Sequence, residues 1–159
     1  MEKSSYQGLL VWQKAMDLTA VIYKLVKNLP KEELYSLSDQ MRRAAVSIAA
    51  NIAEGQDRKT NKEFIYFLTI SRGSKAELET LLLICVKVGY LNETDISEAM
   101  NLLSEIGKML TALINKLSKV VSEQKVISGQ LSVVSEGNQK LKTENQIENT
   151  VNQILKTEN

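Results

Sequence analysis

The run Gln40–Gly55, QMRRAAVSIAANIAEG, restricts the possible folds more than any other stretch, because it carries two opposed stripes at one helical spacing. With Leu37 just ahead of it, Met41, Ala44, Ala45, Ile48 and Ile52 recur at intervals of three and four, which sets them on one apolar face. Gln40, Arg43, Ser47, Asn51 and Glu54 recur at the same intervals on another face. Ala44, Ala45, Ala49, Ala50 and Ala53 are good helix formers with almost no bulk, so a neighbouring helix can come close to this backbone. The run therefore predicts the central, most enclosed helix of an all-helical fold. Its polar stripe has two readings. One is an ordinary solvated face. The other is an enclosed network in which Arg43 meets Glu54, or a carboxylate such as Glu77 from another helix, with Ser47 and Asn51 supplying hydrogen bonds.

The flanking sequence repeats the pattern. Val11, Ala15, Leu18, Ile22, Leu25 and Leu29 form the seam of a first helix from about Gly8–Leu10 to Asn28, which Pro30 stops. Trp12 and Tyr23 flank this seam; their rings are expected at helix contacts with the polar atom near water, and a stacking platform for a base is the alternative. Ser36–Asp39 fits a capping box for the second helix, and Gly55 fits its stop. Thr60–Glu63 is a second capping box, opening a third helix through Phe64, Phe67, Leu78, Leu81 and Cys85 to a stop at Gly89. Asn92, with Asp95 three residues on, caps a fourth helix through Ile96, Ala99, Leu103, Ile106, Leu110, Leu113 and Leu117. Short connections between four such helices predict a left-handed, antiparallel up-down-up-down bundle over residues 1–119.

Residues 120–159 follow a different grammar. Val120–Glu123 recurs as Val133–Glu136, and Gln139–Asn145 recurs, imperfectly, as Gln153–Asn159. This polar repetition predicts a low-complexity C-terminal extension, disordered or weakly helical. The second repeat is offset by two heptads, which leaves a partner-stabilised helix open, while Gly129 and Gly137 argue against one continuous helix.

The Gln40–Gly55 run resembles the signature of a bacterial four-helix-bundle family named after intervening sequences in large-subunit ribosomal RNA genes. Val11-Trp12-Gln13-Lys14-Ala15, Leu29-Pro30 with Glu33 and Leu37, and Gly73-Ser74-Lys75-Ala76-Glu77-Leu78-Glu79 extend the resemblance over about residues 8–118. A more distant relative of that family is the accessory variability determinant of diversity-generating retroelements. The resemblance implies a homopentamer, RNA or DNA as a partner, and a reverse transcriptase as a further one.

Composition decides which chemistries remain. The 159 residues contain no histidine, which removes the commonest general base, the Ser-His-Asp and Cys-His arrangements and the Glu-x-x-His metal motif of di-iron bundles. Glu54 with Glu77 is the remaining carboxylate pair, and an ionic role with Arg43 suits it better than a hard cation. There is no phosphate-cradling glycine loop and no Gly-x-Ser-x-Gly elbow. The expectation is a non-enzymatic protein with no catalytic residues, no metal and no cofactor. The single cysteine, Cys85, lies in an apolar run and reads as a buried small hydrophobe. No apolar run is long enough to span a bilayer, and Met1–Gln7 leads into no signal segment, so the cytoplasm is the expected compartment.

Net charge is only +1. Residues 1–119 carry 16 Lys plus Arg against 14 Asp plus Glu, and residues 120–159 carry 4 against 5. Binding to nucleic acid thus needs a local patch, multiplied by assembly. Lys14, Arg42, Arg43, Arg58, Lys59, Lys62, Arg72 and Lys75 are the candidates for one basic band on a homo-oligomeric scaffold. Taken singly, each of them also reads as a solubility or intrahelical pairing residue. The alternative function is a protein adaptor that uses outer apolar residues such as Leu10, Ile65, Leu83 and Leu102.

Overall fold

The computed structural model describes the backbone of residues 6–33 and 35–156, and side chains within that span as far as Gln124. Among the described residues there are four α-helices and no strand: α1 (Leu10–Leu25), α2 (Leu37–Asp57), α3 (Asn61–Lys87) and α4 (Glu93–Lys156). Short 3-10 turns at Tyr6–Gly8, Val26–Asn28 and Lys31–Glu33 complete the path. Two compact units divide the chain, Met1–Ser118 and Lys119–Asn159.

In the first unit the apolar seams meet as one core. Val11, Ala15, Leu18, Ile22 and Leu25 of α1, Met41, Ala44, Ala45, Ile48 and Ile52 of α2, and Leu68, Leu78, Leu82 and Cys85 of α3 are buried together with Ile96, Ala99, Leu103, Ile106 and Leu110 of α4. Cys85 is fully enclosed, its thiol 3.8 Å from the Met41 sulfur.

α2 and α3 pack against each other along much of their length. Met41 meets Cys85, Ser47 meets Ser74, Ile48 meets Ser71, and Gly55 lies against Phe64 and Phe67. Residue numbers rise along α2 as they fall along α3. Ala44, Ala45 and Ala49 are buried, Ala53 is half-buried and Ala50 is exposed, so α2 keeps one side in water even where it is rich in alanine.

Local chemistry sets the helix ends, with two departures from expectation. Thr60 caps α3 by accepting from the Glu63 amide at 3.2 Å, and its hydroxyl donates to the Glu63 carboxylate at 2.7 Å. Asn92 and Asp95 exchange side-chain and backbone bonds of 2.8 and 2.9 Å at the start of α4. Gly89 ends α3 with φ +80°, and bonds from Gly89 to Val86 and from Tyr90 to Cys85 complete a Schellman stop. Ser36, by contrast, makes no side-chain cap for α2; the Leu37 amide instead reaches the Glu33 carboxylate at 3.5 Å. Gly55 does not end α2 either. It is helical and buried, and an added Cβ there would sit 2.8 Å from both Phe64 Cδ2 and Phe67 Cβ, so close approach rather than a left-handed turn explains the glycine.

The α4 backbone runs through Gly129 and Gly137, where a break was expected. Each glycine costs about 1 kcal/mol relative to alanine, too little to end a long helix.

Candidate nucleic-acid interface

The polar stripe of α2 divides into two parts. Asn51 donates to the Ser47 hydroxyl at 3.0 Å, Ser47 and Ser74 share a bond of 2.8 Å, and Ser74 reaches the Ile70 carbonyl at 3.3 Å. Ser47 and Asn51 therefore form a polar connection across the α2–α3 contact. Arg43 and Glu54 do not join it. Arg43 pairs with Asp39 at 3.4 Å and its side chain is 72% exposed. Glu54 pairs one turn along with Arg58, and Glu77 is exposed. The expected enclosed ion pair between Arg43 and Glu54 or Glu77 is thus corrected to solvent-facing pairs within single helices. The physical reason is the cost of taking a charge out of water when a partner one helical turn away is available at the surface.

The eight basic candidates fall into separate places. Lys14 reaches across to Glu105 of α4 at 2.8 Å; this bond and the carboxylate's charge hold its ammonium above its ordinary range. Lys75 pairs with Glu79 at a groove of about 600 Å³ between α3 and α4 that Lys108 and Thr111 also line. Arg72 is exposed on α3. Arg58, Lys59 and Lys62 gather at the α2–α3 turn, where the Arg58 guanidinium lies 4.7 Å above the Phe67 ring. Acidic residues beside them, Glu54, Asp57 and Glu63, offset that charge.

Arg42 and Arg43 occupy a different setting. They line an open groove of about 530 Å³ together with Tyr23, Asp39, Val46 and Ser47. Tyr23 comes from α1 and the other residues from α2. The Tyr23 ring is 47% exposed, against the expectation of a ring buried at a helix contact. Its place on α1 opposite the arginines follows from the packing of α1 on α2, where the Thr19 hydroxyl lies 3.3 Å from the Ala45 carbonyl. Among the described residues Arg42 has no acidic partner within ion-pair distance, and Asp39 offsets only Arg43, so the groove keeps a net positive charge. The groove between α1 and α4 has the opposite character: Asp17, Glu98 and Glu105 outnumber Lys24 there.

Spacing along one helix could not supply two of these features. The conjunction of Tyr23 with Arg42 and Arg43, and of Lys75 with Lys108, each requires knowing which helices are neighbours. Among the described residues, no three His, Cys, Asp or Glu side chains come together to hold a metal ion, and no helix is long and apolar enough to cross a membrane.

Comparison with known proteins bears on residues of the first unit. The profile of the 23S rRNA-intervening sequence protein family matches residues 7–112. The chain is also similar to the crystal structure of a protein of unknown function from the S23 ribosomal protein family of Bacteroides thetaiotaomicron. The identity is 27% and the TM-score 0.62, and the match covers 66% of this chain and 98% of that one. No curated protein matches.

Proposed function

The chain belongs to the 23S rRNA-intervening sequence protein family, and we propose that it is a non-enzymatic, self-associating scaffold that holds RNA or DNA in the groove lined by Tyr23, Arg42 and Arg43. The observation that carries this reading is the placing of a half-exposed aromatic ring beside two arginines at one open groove. Guanidinium groups bind phosphate, and an accessible ring accepts a stacked base from a single strand. The acidic α1–α4 groove, by contrast, repels a phosphate backbone.

With a net charge of +1, one groove is a weak site. Self-association removes that weakness. A homopentamer, as the family resemblance implies, repeats the groove on every protomer, and several weak contacts to one strand act together. Arg58, Lys59, Lys62 and Arg72 serve in this reading as outlying phosphate contacts. Lys14 and Lys75 are committed to Glu105 and Glu79 and contribute less. The bundle is read as left-handed and up-down-up-down, in the cytoplasm, with a reverse transcriptase as a candidate protein partner.

The test is anisotropy of a labelled single-stranded RNA or DNA oligonucleotide titrated with the full chain at several salt concentrations. Affinity is expected to fall steeply with salt, to drop in the Arg42→Ala, Arg43→Ala double variant, and to drop in Tyr23→Ala but not in Tyr23→Phe. Salt-insensitive binding, or variants that bind like the parent, would overturn the assignment.

A second reading, a protein adaptor, has its own observation. Tyr66, Ile70, Leu83, Ile84 and Val88 are exposed along α3, as is Leu10 on α1, whereas Ile65 and Leu102 are half-buried. A partner held by this α3 surface would persist at high salt, which separates the two readings.

A further inference from the structure

The register buried in the bundle continues, by count, far beyond it. In a seven-residue frame along α4, Ile96, Leu103 and Leu110 take position a, and Ala99 and Ile106 take position d; all five are buried. The next positions in the frame, Leu113, Leu117 and Val120, are only half-buried. The count then runs on without a stutter: position d holds Ile127, Val134, Leu141 and Leu155, and position a holds Leu131. Gln124 and Glu148 are the breaks. Gly129 and Gly137 fall at f and g, outside the a/d seam. The helical backbone assigned through Lys156 supplies the geometry that this pattern requires.

We propose that residues 120–155 of α4 form a parallel, in-register coiled coil with further copies of this same chain. Two features select that occupant. Position a holds Asn138, Asn145 and Asn152 in three successive heptads. A side-chain amide both donates and accepts, so asparagines at matched levels of parallel copies satisfy one another, whereas an unrelated apolar groove would leave them unpaired. Lastly, the family match ends at residue 112, so the seam lies outside the matched bundle and is not required to close its core.

Sedimentation and far-UV circular dichroism of the full chain, compared with an Ile127→Asp, Leu131→Asp double variant, test the proposal. The variant is expected to lose helical signal at a protein concentration where the parent keeps it, while the bundle keeps its thermal unfolding transition. Asn138→Cys in the full chain is expected to form an intermolecular disulfide under mild oxidation, because parallel copies bring like a positions together, and adding Ile127→Asp and Leu131→Asp is expected to abolish that cross-link. A helical signal unchanged in the double variant, or a parent chain that is already monomeric, would overturn the coiled coil. An Asn138→Cys chain that associates but does not cross-link would overturn its parallel register. Assembly through the bundle, on which the proposed function rests, is separable, since it would keep the particle mass of the double variant.

Discussion

Ser71 of α3 is fully buried and donates its hydroxyl to the Ile48 carbonyl of α2 at 3.0 Å, joining the two helices at the point where small residues line both. Ser71→Ala removes one buried bond from a carbonyl within α2 and is expected to cost about 1 kcal/mol. Ser71→Leu must also find room between closely packed backbones, which adds roughly 1 to 3 kcal/mol. Urea unfolding of the two variants checks the order; equal midpoints would mean that the contact has slack.

Three glycines inside helices are expected to respond oppositely to alanine. At Gly55 the new Cβ meets Phe64 and Phe67 at 2.8 Å, so Gly55→Ala should destabilise by about 1 kcal/mol or more despite the better helix propensity. Gly73 has nothing within 4 Å, and Gly107 has only the Lys75 Cε at 3.5 Å. Gly73→Ala and Gly107→Ala should each stabilise by up to about 1 kcal/mol. Thermal midpoints that shift in the same direction at all three positions would contradict the packing described.

Arg43→Ala and Glu54→Ala are expected to change stability by no more than about 0.5 kcal/mol, because each loses only an exposed pair one helical turn apart. An enclosed network would have made each cost on the order of 2 kcal/mol or more. Denaturant midpoints measure which applies.

Alkaline pH should weaken the fold through three groups. The Cys85 thiol is pushed up by burial and then by the Glu33 charge; the Tyr90 phenol is raised by its 3.1 Å bond to Glu33 and by that carboxylate's charge; Lys14 is raised by Glu105. A group whose folded pKa lies above its unfolded one contributes stability below the unfolded value and loses it as pH rises through the folded value. The loss should therefore set in from about pH 8.5 for the thiol and about pH 10 for the phenol and ammonium. Glu33→Gln should flatten the part of the profile due to Tyr90 and leave most of the part due to Cys85, which burial sets. A thermal midpoint that holds steady to pH 11 would refute this coupling.

Much of this was legible from residue spacing. Seam positions such as Leu18, Met41, Ile48, Leu82 and Leu103 are buried as the three-and-four pattern predicts, because an apolar stripe at helical period has no stable place except against another. The Thr60–Glu63 and Asn92–Asp95 boxes are equally local, since donor and acceptor lie within one turn. The candidate site was less legible. Arg42 and Arg43 stood out as basic residues, yet Tyr23 became their neighbour only through the packing of α1 on α2.

The amino-acid order alone determined that there would be four helices, which of their faces would be apolar, and where two of them would start, because those outcomes depend on contacts a turn or less apart. Tertiary structure decided the rest. It turned Gly55 from a helix stop into a close contact and gave Ser47 the partner Ser74. It also left Arg43 and Glu54 in water rather than joined across helices. Each of these depends on how near one helix comes to another, and charge placement in particular follows the balance between desolvation and pairing, which no spacing within a single helix contains.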